Sequence, residues 1–400
     1  MKIAYFTDTF LPQINGVVSS LATLAGALGK KGYKIVIFAP KPARGREVHW
    51  KSENVEIQFL PSVKTFIYHD FRAAVPISPK LLKIIRQKNP DIIHFQTTFF
   101  LGGGGILLGK LLKKPVVGSF HGYFMEPEYL KIVKLDYQVK IISNILWKYV
   151  GLFYNQCDAV LTYSQDALKD LKHHKIKKPI FVVPNSIDTK IIKKVDESDL
   201  AKLRKKYKLN KKVIINVGRL SPEKSLEILM KSFVNVVKNE KNVTLFLVGD
   251  GPSKNSLINL SRSLKIERNV VFTGNIPQED LLTKGYLQLA DVFATASTSE
   301  LQPISIIEAI YFGLPLVGVA KRGTREMIQG VGLLSQPEDP KSLAQNILKV
   351  ISDKNVHDQL SKNSRQEYER KYKLKKVVSA YESFYEEILE GYKQKKLKRL

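Results

Sequence analysis

The sequence predicts an α/β protein with two domains, each built on a parallel β-sheet. Short β-branched runs alternate with amphipathic helical stretches along the whole chain, which is typical of parallel α/β layers. The length of 400 residues and the hydrophobic content of 44% favour two domains, each with its own core. Several strand candidates end in glycine, as strands do where a parallel sheet borders a ligand crevice.

The strand candidates form two series, separated by a polar, Lys-rich stretch at Asp188–Asn210 that we interpret as a linker with a short helix. The first series is Ile3–Phe6, Lys34–Ala39, Val55–Leu60, Asp91–Phe95, Pro115–Ser119, Ala159–Tyr163 and Ile180–Val183. The second series is Lys212–Val217, Val243–Val248, Asn269–Thr273, Val292–Ala294 and Leu316–Gly318. Two Rossmann-like units are implied, with domain bounds of 1–188 and 189–373.

The last segment, 374–400, reads as a helix followed by a basic tail. Its apolar residues share one helical stripe, which must pack on another part of the protein. The residues of the stripe are Val378, Tyr381, Phe384, Tyr385, Ile388, Leu389 and Tyr392.

The formal net charge of +27 predicts attraction to a polyanion, such as nucleic acid, an anionic bilayer or a phosphorylated substrate. The charge is spread over both halves, so a Lys-rich composition with solvated lysines explains it equally well. The single cysteine, Cys157, excludes an internal disulfide and a cysteine zinc cluster. No apolar run reaches the length of a membrane span, and Lys2–Phe6 reads as a strand rather than a signal peptide. We therefore expect a cytoplasmic protein, peripheral at most to a membrane.

Two glycine-containing stretches partly resemble nucleotide-binding loops, but neither has the complete motif. Gly104–Leu111 has the glycine and lysine spacing of a phosphate-binding loop, but Leu111 stands where Ser or Thr must ligate magnesium. We expect this stretch to be helix interior, with glycines that let it approach another backbone closely. Gly16 follows the first strand and precedes a helix, so it can face a phosphate, but a dinucleotide fingerprint needs three spaced glycines.

Cations and glycines follow the strands of the second series. Arg219 and Lys224 come after strand Lys212–Val217, and two cations at a strand's carboxyl end suit a diphosphate. Gly249 ends the next strand, and Asn275 with Ile276 follows another. Each of these turns alone is weak evidence, but glycine-ended strands on one edge of a sheet predict a ligand crevice.

The stretch "SELQPISIIEAI" places two acids, Glu300 and Glu308, around the start of an apolar helix. Pro303 suits the first turn of that helix, and the amides near Gln302–Ile306 would point toward the preceding loop and favour a phosphate. The two carboxylates would then contact the hydroxyls of two different sugar rings. The alternative is that one acid caps the helix and the other lies on the surface.

Taken together, these motifs resemble the retaining glycosyltransferases of family 4, which have the GT-B architecture of two Rossmann-like domains facing across a cleft. The matching stretches are "TDTFLPQINGV", "DIIHFQTTFF", "GSFHGYF", "VVPNSIDT", "NVGRLSPEKSLEILMKSF", "LVGDGP", "VVFTGNIP" and "SELQPISIIEAIYFGLPLVG". The resemblance covers most of the chain in the order typical of the family. It implies a GT-B fold with the C-terminal helix packed back on the first domain.

The resemblance also implies roles for individual residues. Glu308 matches the position that binds the nucleotide ribose, and Glu300 the one that contacts donor-sugar hydroxyls. Arg219 and Lys224 match the cations that stabilise the departing diphosphate. The remaining matches are Gly16, Gly249 and the amides from Gln302 to Ser305 (with Pro303 and Ile304) near the phosphates, His121 near the transferred sugar, and Asn275 with Ile276 at the base.

The resemblance further implies a nucleotide-sugar substrate, no cofactor and no metal requirement, in keeping with the lack of a well-placed Asp-x-Asp motif. The chain departs from the family in two respects: many relatives have Phe-Gly after the first glutamate, where this sequence has Leu301-Gln302, and "PNSID" stands in place of the commoner form with glycine.

The acceptor is predicted from the first domain, which resembles that of bacterial diacylglycerol glucosyltransferases. A stretch rich in aliphatic, aromatic and lysine residues follows His121, and we expect Lys131, Lys134, Lys140, Lys148, Trp147 and Tyr149 to face a lipid interface. The favoured partners are therefore a UDP- or GDP-sugar donor, with UDP-glucose foremost, a membrane-lipid acceptor and an anionic membrane surface. The alternatives are a soluble or polyprenyl-linked saccharide acceptor, or a non-catalytic sugar-nucleotide or polyanion-binding protein. No nucleic-acid motif is present, so nucleic acid is not an expected partner.

Overall fold

The computed structural model describes residues 1–65, 72–130 and 139–397. The chain forms two compact units. The first unit comprises Met1–His121, Asn144–Ile187 and Leu374–Leu400, and the second comprises Gly122–Ser143 and Asp188–Lys373. Residues 122–130 and 139–143 fall within the predicted first domain of 1–188 but group with the second unit.

Strands and helices alternate through both units. The strands are β1 (Lys2–Phe6), β2 (Lys34–Pro40), β3 (Val55–Leu60), β4 (Ser62–Lys64), β5 (Arg72–Ala74), β6 (Ile92–Phe95), β7 (Val116–Ser119), β8 (Ala159–Thr162), β9 (Ile180–Val182), β10 (Lys212–Val217), β11 (Val243–Val248), β12 (Val270–Phe272), β13 (Val292–Ala294), β14 (Leu316–Val319) and β15 (Gly332–Ser335). The helices are α1 (Gly16–Lys30), α2 (Pro79–Lys88), α3 (Phe100–Leu112), α4 (Pro127–Leu130), α5 (Val139–Tyr154), α6 (Gln165–His173), α7 (Glu197–Tyr207), α8 (Leu226–Asn239), α9 (Lys254–Ser263), α10 (Gln278–Thr283), α11 (Ile304–Tyr311), α12 (Arg322–Ile328), α13 (Pro340–Ser352), α14 (Lys354–Glu367) and α15 (Leu374–Leu397).

The first unit contains a parallel sheet in the order β3-β2-β1-β6-β7-β8-β9. In β1, every residue after Lys2 is buried. Such continuously apolar strands are expected where helices cover both faces of a parallel sheet. In the register of β1, Phe6 lies opposite Phe38 of β2 and Phe95 of β6, so these three rings share one face. A short antiparallel pair, β4 and β5, is separate from this sheet.

The second unit contains a parallel sheet in the order β12-β11-β10-β13-β14-β15. Helix α8 buries Leu226, Leu229, Phe233 and Val236, which recur at helical spacing and join the core under this sheet. The linker stretch is helical over α7, as predicted.

Every strand candidate of the sequence is present, and each of these strands begins and ends within one residue of its predicted bounds. The structure adds β4, β5 and β15, which are only three or four residues long. The glycine-rich stretch Gly104–Leu111 lies inside α3, which confirms that it is not a phosphate-binding loop. A Cβ atom at Gly102 would lie 1.9 Å from the carbonyl oxygen of Thr97, so only glycine permits this close approach of helix and chain.

The C-terminal helix α15 packs within the first unit, as predicted from its apolar stripe. Tyr381, Phe384, Tyr385 and Ile388 are buried, and Phe384 meets the ring of Phe181 edge-on. The side chains of residues 395 and 396 and the whole of 398–400 lie outside the described part, so the predicted basic tail is not assessed.

A buried polar cluster joins α15 to the centre of the first sheet. The Tyr385 hydroxyl lies 2.7 Å from that of Tyr5 and 2.8 Å from Nδ1 of His94, whose Nε2 lies 2.8 Å from the Ser119 hydroxyl. Burial lowers the pKa of His94 to about 3, with a smaller contribution from His121. His94 is therefore a neutral histidine with both ring nitrogens hydrogen-bonded.

A second buried cluster fixes residues 122–130 within the second unit. The Arg322 guanidinium lies 2.7 Å from Oε2 of Glu126, and both side chains are mostly buried, at 18% and 14% exposure. Arg322 also stacks over the Tyr123 ring at 4.3 Å. The chain entering α4 is thus anchored by a cation held between a carboxylate and an aromatic face.

We predict that His94→Gln makes stability less dependent on pH. An unfolded histidine binds a proton near pH 6.5, whereas folded His94 binds one only near pH 3, so the free energy of unfolding falls as pH drops below 6.5. Between pH 6.5 and pH 5 this loss amounts to about 2 kcal/mol. Urea unfolding at neutral and acidic pH would measure it. His173→Gln, at an exposed histidine, serves as the control and should keep the parent's pH dependence.

We also predict that Glu126→Gln lowers the free energy of unfolding by about 2–3 kcal/mol, because it removes the carboxylate charge that lies 2.7 Å from the mostly buried Arg322 guanidinium. The matched control is Glu369→Gln, which neutralises the carboxylate of an exposed ion pair with Lys373 and should cost less than about 1 kcal/mol. Equal losses in the two variants would contradict the structural role of the Glu126–Arg322 pair.

Candidate functional site

The candidate site of the second unit lies at the carboxyl edge of its sheet. Because the strands are parallel, the loops that follow β10, β11, β12 and β13 all leave from this edge. The strand order reverses between β10 and β13, and such a switch point is where open α/β sheets bind ligands. Of the predicted site residues, Gly16 and His121 belong to the first unit and the others to the second.

The loop after β10 presents the two predicted cations. Arg219 is partly buried, and Lys224 ends a short 3₁₀ turn, Pro222–Lys224. Burial lowers the pKa of Arg219, although the nearby charge of Glu223 opposes this shift. Ser225 then adopts a left-handed conformation, φ 49°, before α8 begins. The turn therefore sets Lys224 apart from the helix that follows.

Gly249 lets the loops after β10 and β11 touch. A Cβ atom at this position would lie 1.9 Å from the carbonyl oxygen of Gly218, and its φ of 144° also favours glycine. On its other side Gly249 pairs with Gly274, which precedes Asn275 and Ile276. The glycine-ended strands predicted from the sequence are thus neighbours along one edge.

An ion pair between Lys224 and Glu300 lies at the switch point. Lys224 Nζ is 2.6 Å from Oε1 of Glu300, and the two side chains are 25% and 12% exposed. Burial alone would lower the pKa of Lys224, but the charge and hydrogen bond of Glu300, with Tyr129 and Glu223 nearby, raise it above its usual value. Lys224 is therefore a permanent cation despite its burial.

Backbone contacts hold Glu300 in place. The hydroxyls of Ser297 and Ser299 donate to the carbonyl oxygen of Glu223 at 3.2 and 3.1 Å. The amide of Gly323 donates to the carbonyl oxygen of Glu300 at 3.1 Å. The loop after β13 is thus tied both to the Lys224 turn and to α12.

Helix α11 starts one residue later than predicted, because Pro303 is the N-cap and not part of the first turn. Proline has no amide hydrogen, and the amide of Ile306 donates to the carbonyl oxygen of Pro303. The amides at the start of the helix are therefore those of Ile304 and Ser305. Gln302, just before it, is buried.

Glu308 lies within α11 and is 2% exposed, so the alternative of a surface acid is wrong for this residue. Gln278 Nε2 donates to Glu308 Oε1 at 2.9 Å. Burial raises the pKa of Glu308 to about 7, and the hydrogen bond from Gln278 opposes the shift. Asn275 and Ile276 precede Gln278 by three and two residues, so the loop that carries them leads into the residue that contacts Glu308.

The two predicted site residues of the first unit, Gly16 and His121, also lie in chain segments that follow strands of its sheet. Gly16 is exposed at the first position of α1, where the Asn15 side chain caps the helix by accepting from the amide of Val18. His121 follows β7, and its Nε2 lies 2.8 Å from Gln96 Oε1 and 2.9 Å from the Tyr163 hydroxyl. Burial lowers the pKa of His121 to about 3, so it is neutral.

Sequence reasoning missed three residues that shape the second unit's site. They are Tyr129, Glu223 and Gln278. Tyr129 hydrogen-bonds Ser299 beside Lys224 and Glu300. The carbonyl oxygen of Glu223 accepts from Ser297 and Ser299, and Gln278 donates to Glu308. Only the position of Glu223 beside Lys224 was visible in the sequence. Within residues 1–65, 72–130 and 139–397, no three His, Cys, Asp or Glu side chains group together as metal ligands would.

The predicted lipid-facing residues are only partly on the surface. Lys140, Lys148 and Tyr149 are exposed, but Trp147 is 4% exposed and stacks on His174 with ring centroids 3.7 Å apart. The prediction is therefore wrong for Trp147, which is a core residue. Lys131 and Lys134 lie outside the described residues.

Comparison with known proteins identifies the two halves of the chain separately. The family described as "Glycosyltransferase Family 4" matches residues 14–191, and "Glycosyl transferases group 1" matches residues 199–367. An alpha-monoglucosyldiacylglycerol synthase of Streptococcus pneumoniae is 33% identical over 323 residues, which is 79% of this chain and 70% of that protein. A GDP-mannose-dependent alpha-mannosyltransferase of Corynebacterium glutamicum is 27% identical over 90% of this chain and 83% of its own.

Solved structures agree in fold. HepE of Anabaena, crystallised with UDP-glucose, aligns with a TM-score of 0.76 at 18% identity, over 97% of this chain and 100% of its own. Sucrose-phosphate synthase of Thermosynechococcus elongatus also aligns with a TM-score of 0.76 at 18% identity, over 98% and 99% of the two chains. The predicted fold of two Rossmann-like domains is confirmed, and this chain belongs to glycosyltransferase family 4, with the GT-B fold.

Proposed function

We propose that this glycosyltransferase moves a hexose, most readily glucose, from a UDP-sugar to a membrane-lipid acceptor such as diacylglycerol, with retention of anomeric configuration. The observation that carries the donor side is the partly buried Lys224–Glu300 pair at the switch point of the second sheet, with the buried Glu308 on the adjoining helix. The proposed acceptor is supported by the similarity to the Streptococcus pneumoniae protein, which is named an alpha-monoglucosyldiacylglycerol synthase.

In this proposal, Lys224 and Arg219 stabilise the leaving diphosphate. The bond between the anomeric carbon and the diphosphate oxygen breaks, and the acceptor hydroxyl oxygen bonds to that carbon while its proton passes to the leaving diphosphate. Negative charge grows on the diphosphate as the bond breaks, so a fixed cation binds the transition state more strongly than the ground state. Lys224 is suited to this role because the charge and hydrogen bond of Glu300 keep it in its charged form.

The remaining site residues would bind the other parts of the donor. Glu308 would accept hydrogen bonds from the ribose hydroxyls, and the loop of Asn275 and Ile276 would hold the base. Glu300 and His121 would contact hydroxyls of the transferred sugar. The amides of Ile304 and Ser305, with Gly16 and Gly249, would approach the phosphates, since backbone amides at a helix start favour anions.

We further propose that the reaction needs no cofactor and no divalent metal, because Arg219 and Lys224 supply the positive charge that a metal would supply elsewhere.

The donor and the acceptor are tested together by a transfer assay. We expect glucosyl transfer from UDP-glucose to diacylglycerol in detergent micelles, at an unchanged rate when EDTA is present, and little transfer from GDP-mannose. Transfer only from GDP-mannose would overturn the donor, and transfer only to soluble or polyprenyl-linked saccharides would overturn the acceptor. Loss of activity with EDTA would refute the proposed independence from metal.

Separate losses are expected for the site variants. Lys224→Ala should lower kcat by about a hundredfold, because it removes the cation that stabilises the growing charge of the diphosphate. Glu300→Ala should lower kcat by about as much, because it removes the carboxylate that keeps Lys224 charged and in place. Glu308→Ala should mainly raise the KM for the donor, because the ribose does not change during the reaction. Steady-state kinetics over a range of donor concentrations separates the two effects.

The matched control is Lys202→Ala, which breaks an exposed ion pair of similar length, 2.7 Å, with Asp199 on α7, a helix that carries none of the site residues. It should leave kcat and KM unchanged. Near-parent turnover in both Lys224→Ala and Glu300→Ala would show that the reaction centre lies elsewhere.

A further inference from the structure

The second unit contains a cleft of about 390 Å³ that none of the predicted site residues lines. The cleft lies between the chain segment before α7, the carboxyl end of α11, and the last turn of α14 with the residues just after it. We call it the linker cleft. All of its lining residues belong to the second unit. Its volume is within the range of small-molecule sites.

The linker cleft carries an excess of positive charge. Lys193, Lys194 and Arg365 line it, and all three are exposed. Within the described part of the chain, none of these three side chains makes an ion pair or a hydrogen bond. The acid that lines the cleft, Glu369, is bonded instead to Lys373 at 2.6 Å. Three cations from two separated chain segments are therefore available to an anionic ligand.

Two of the polar side chains in the cleft are held against the backbone. A Cβ atom at Gly313 would lie 2.5 Å from Nε of Arg365, so the arginine side chain lies directly on the glycine. The Oε1 atom of Gln288 accepts from the amide of Val195 at 3.3 Å. No described residue accepts from the Nε2 hydrogens of Gln288, so they can donate to a ligand.

Aromatic rings at the end of α11 form another part of the cleft lining. Tyr311 and Phe312 are both partly exposed, and their rings meet edge-on with centroids 5.3 Å apart. Tyr311 also meets the ring of Tyr368 edge-on at 4.9 Å. Aromatic rings stack with the bases of nucleotides, and cations beside them contact the phosphates. The cleft combines both kinds of group.

We propose that the linker cleft is a second ligand site that binds a nucleoside phosphate. The base lies against the partly exposed rings of Tyr311 and Phe312, and the phosphates contact Lys193, Lys194 and Arg365. A small molecule fits better than a polyanionic polymer, because these groups surround a concave space rather than follow a surface stripe. The proposal does not depend on the donor, the acceptor or the transfer reaction.

The test is isothermal titration calorimetry of the full chain with ADP at low salt, without a sugar donor. We expect Lys193→Gln/Lys194→Gln and Arg365→Gln each to raise the Kd for ADP by about tenfold, because each removes charged contacts to the phosphates. Phe312→Leu should raise it by about as much, because it removes an aromatic surface for the base. Inorganic pyrophosphate, which lacks the base, should bind more weakly than ADP.

Two further variants serve as controls. Lys238→Gln/Lys241→Gln removes the same charge at two exposed lysines of the second unit that do not line the cleft. Lys224→Ala removes a cation of the donor-side site. Both should bind ADP as the parent does.

The absence of ADP binding by the parent would overturn the proposal, as would a parent-like Kd in both cation variants of the cleft. An equal loss in Lys238→Gln/Lys241→Gln would show only a general effect of charge and would also overturn it. A loss confined to Lys224→Ala would place ADP in the donor-side site instead. Pyrophosphate binding as tight as that of ADP would overturn the role of the base. Thermal unfolding followed by circular dichroism checks that each variant is folded, and the exposed lysine pair of the cleft keeps the test valid if Phe312→Leu does not fold.

Discussion

The parallel pairing of β10 with β13 is the constraint on which the donor-side site depends. Ile214 lies opposite Val292 and Ile215 opposite Phe293, and the Asn216 side chain donates to the carbonyl oxygen of Ala294 at 2.7 Å. Because the two strands run in the same direction, the chain segments that follow them emerge together. Lys224 and Glu300 are 76 residues apart in sequence, yet this pairing brings them within 2.6 Å.

The charge of the partly buried Lys224 depends on its pairing with Glu300. A buried lysine without a partner would favour its neutral form, which has no charge to offer a phosphate. Glu300 keeps Lys224 charged, while Ser297 and Ser299, bonded to the carbonyl oxygen of Glu223, keep the two loops in register. The protein's own groups therefore fix the charges of the proposed site, and charges fixed in this way need little rearrangement during a reaction.

The sequence was sufficient where local chemistry determines structure and insufficient where long-range packing does. Buried parallel strands are continuous apolar runs, so they were recognisable, whereas β15 is four residues with a glycine and carries no comparable signal. The composition of α5 predicts Trp147 at a lipid interface, but the helical period places it in the core. Ile145, Tyr149 and Leu152 share an exposed stripe, and a residue two positions from Ile145 lies on the other side of the helix. The sequence does not predict that Tyr129 lies beside Lys224 or that Arg322 contacts Glu126, since no motif shows that residues 122–130 pack with the second unit.

The first unit is assembled from three separated stretches of chain, and the last of them, α15, supplies the Tyr385 phenol that contacts both Tyr5 and His94. A ribosome makes α15 only after the entire second unit. During synthesis, Tyr5 and His94 of the first sheet therefore lack their partner Tyr385 until α15 is made. The first unit therefore cannot complete its fold until α15 has been synthesised. We expect a chaperone to bind the nascent chain during this interval.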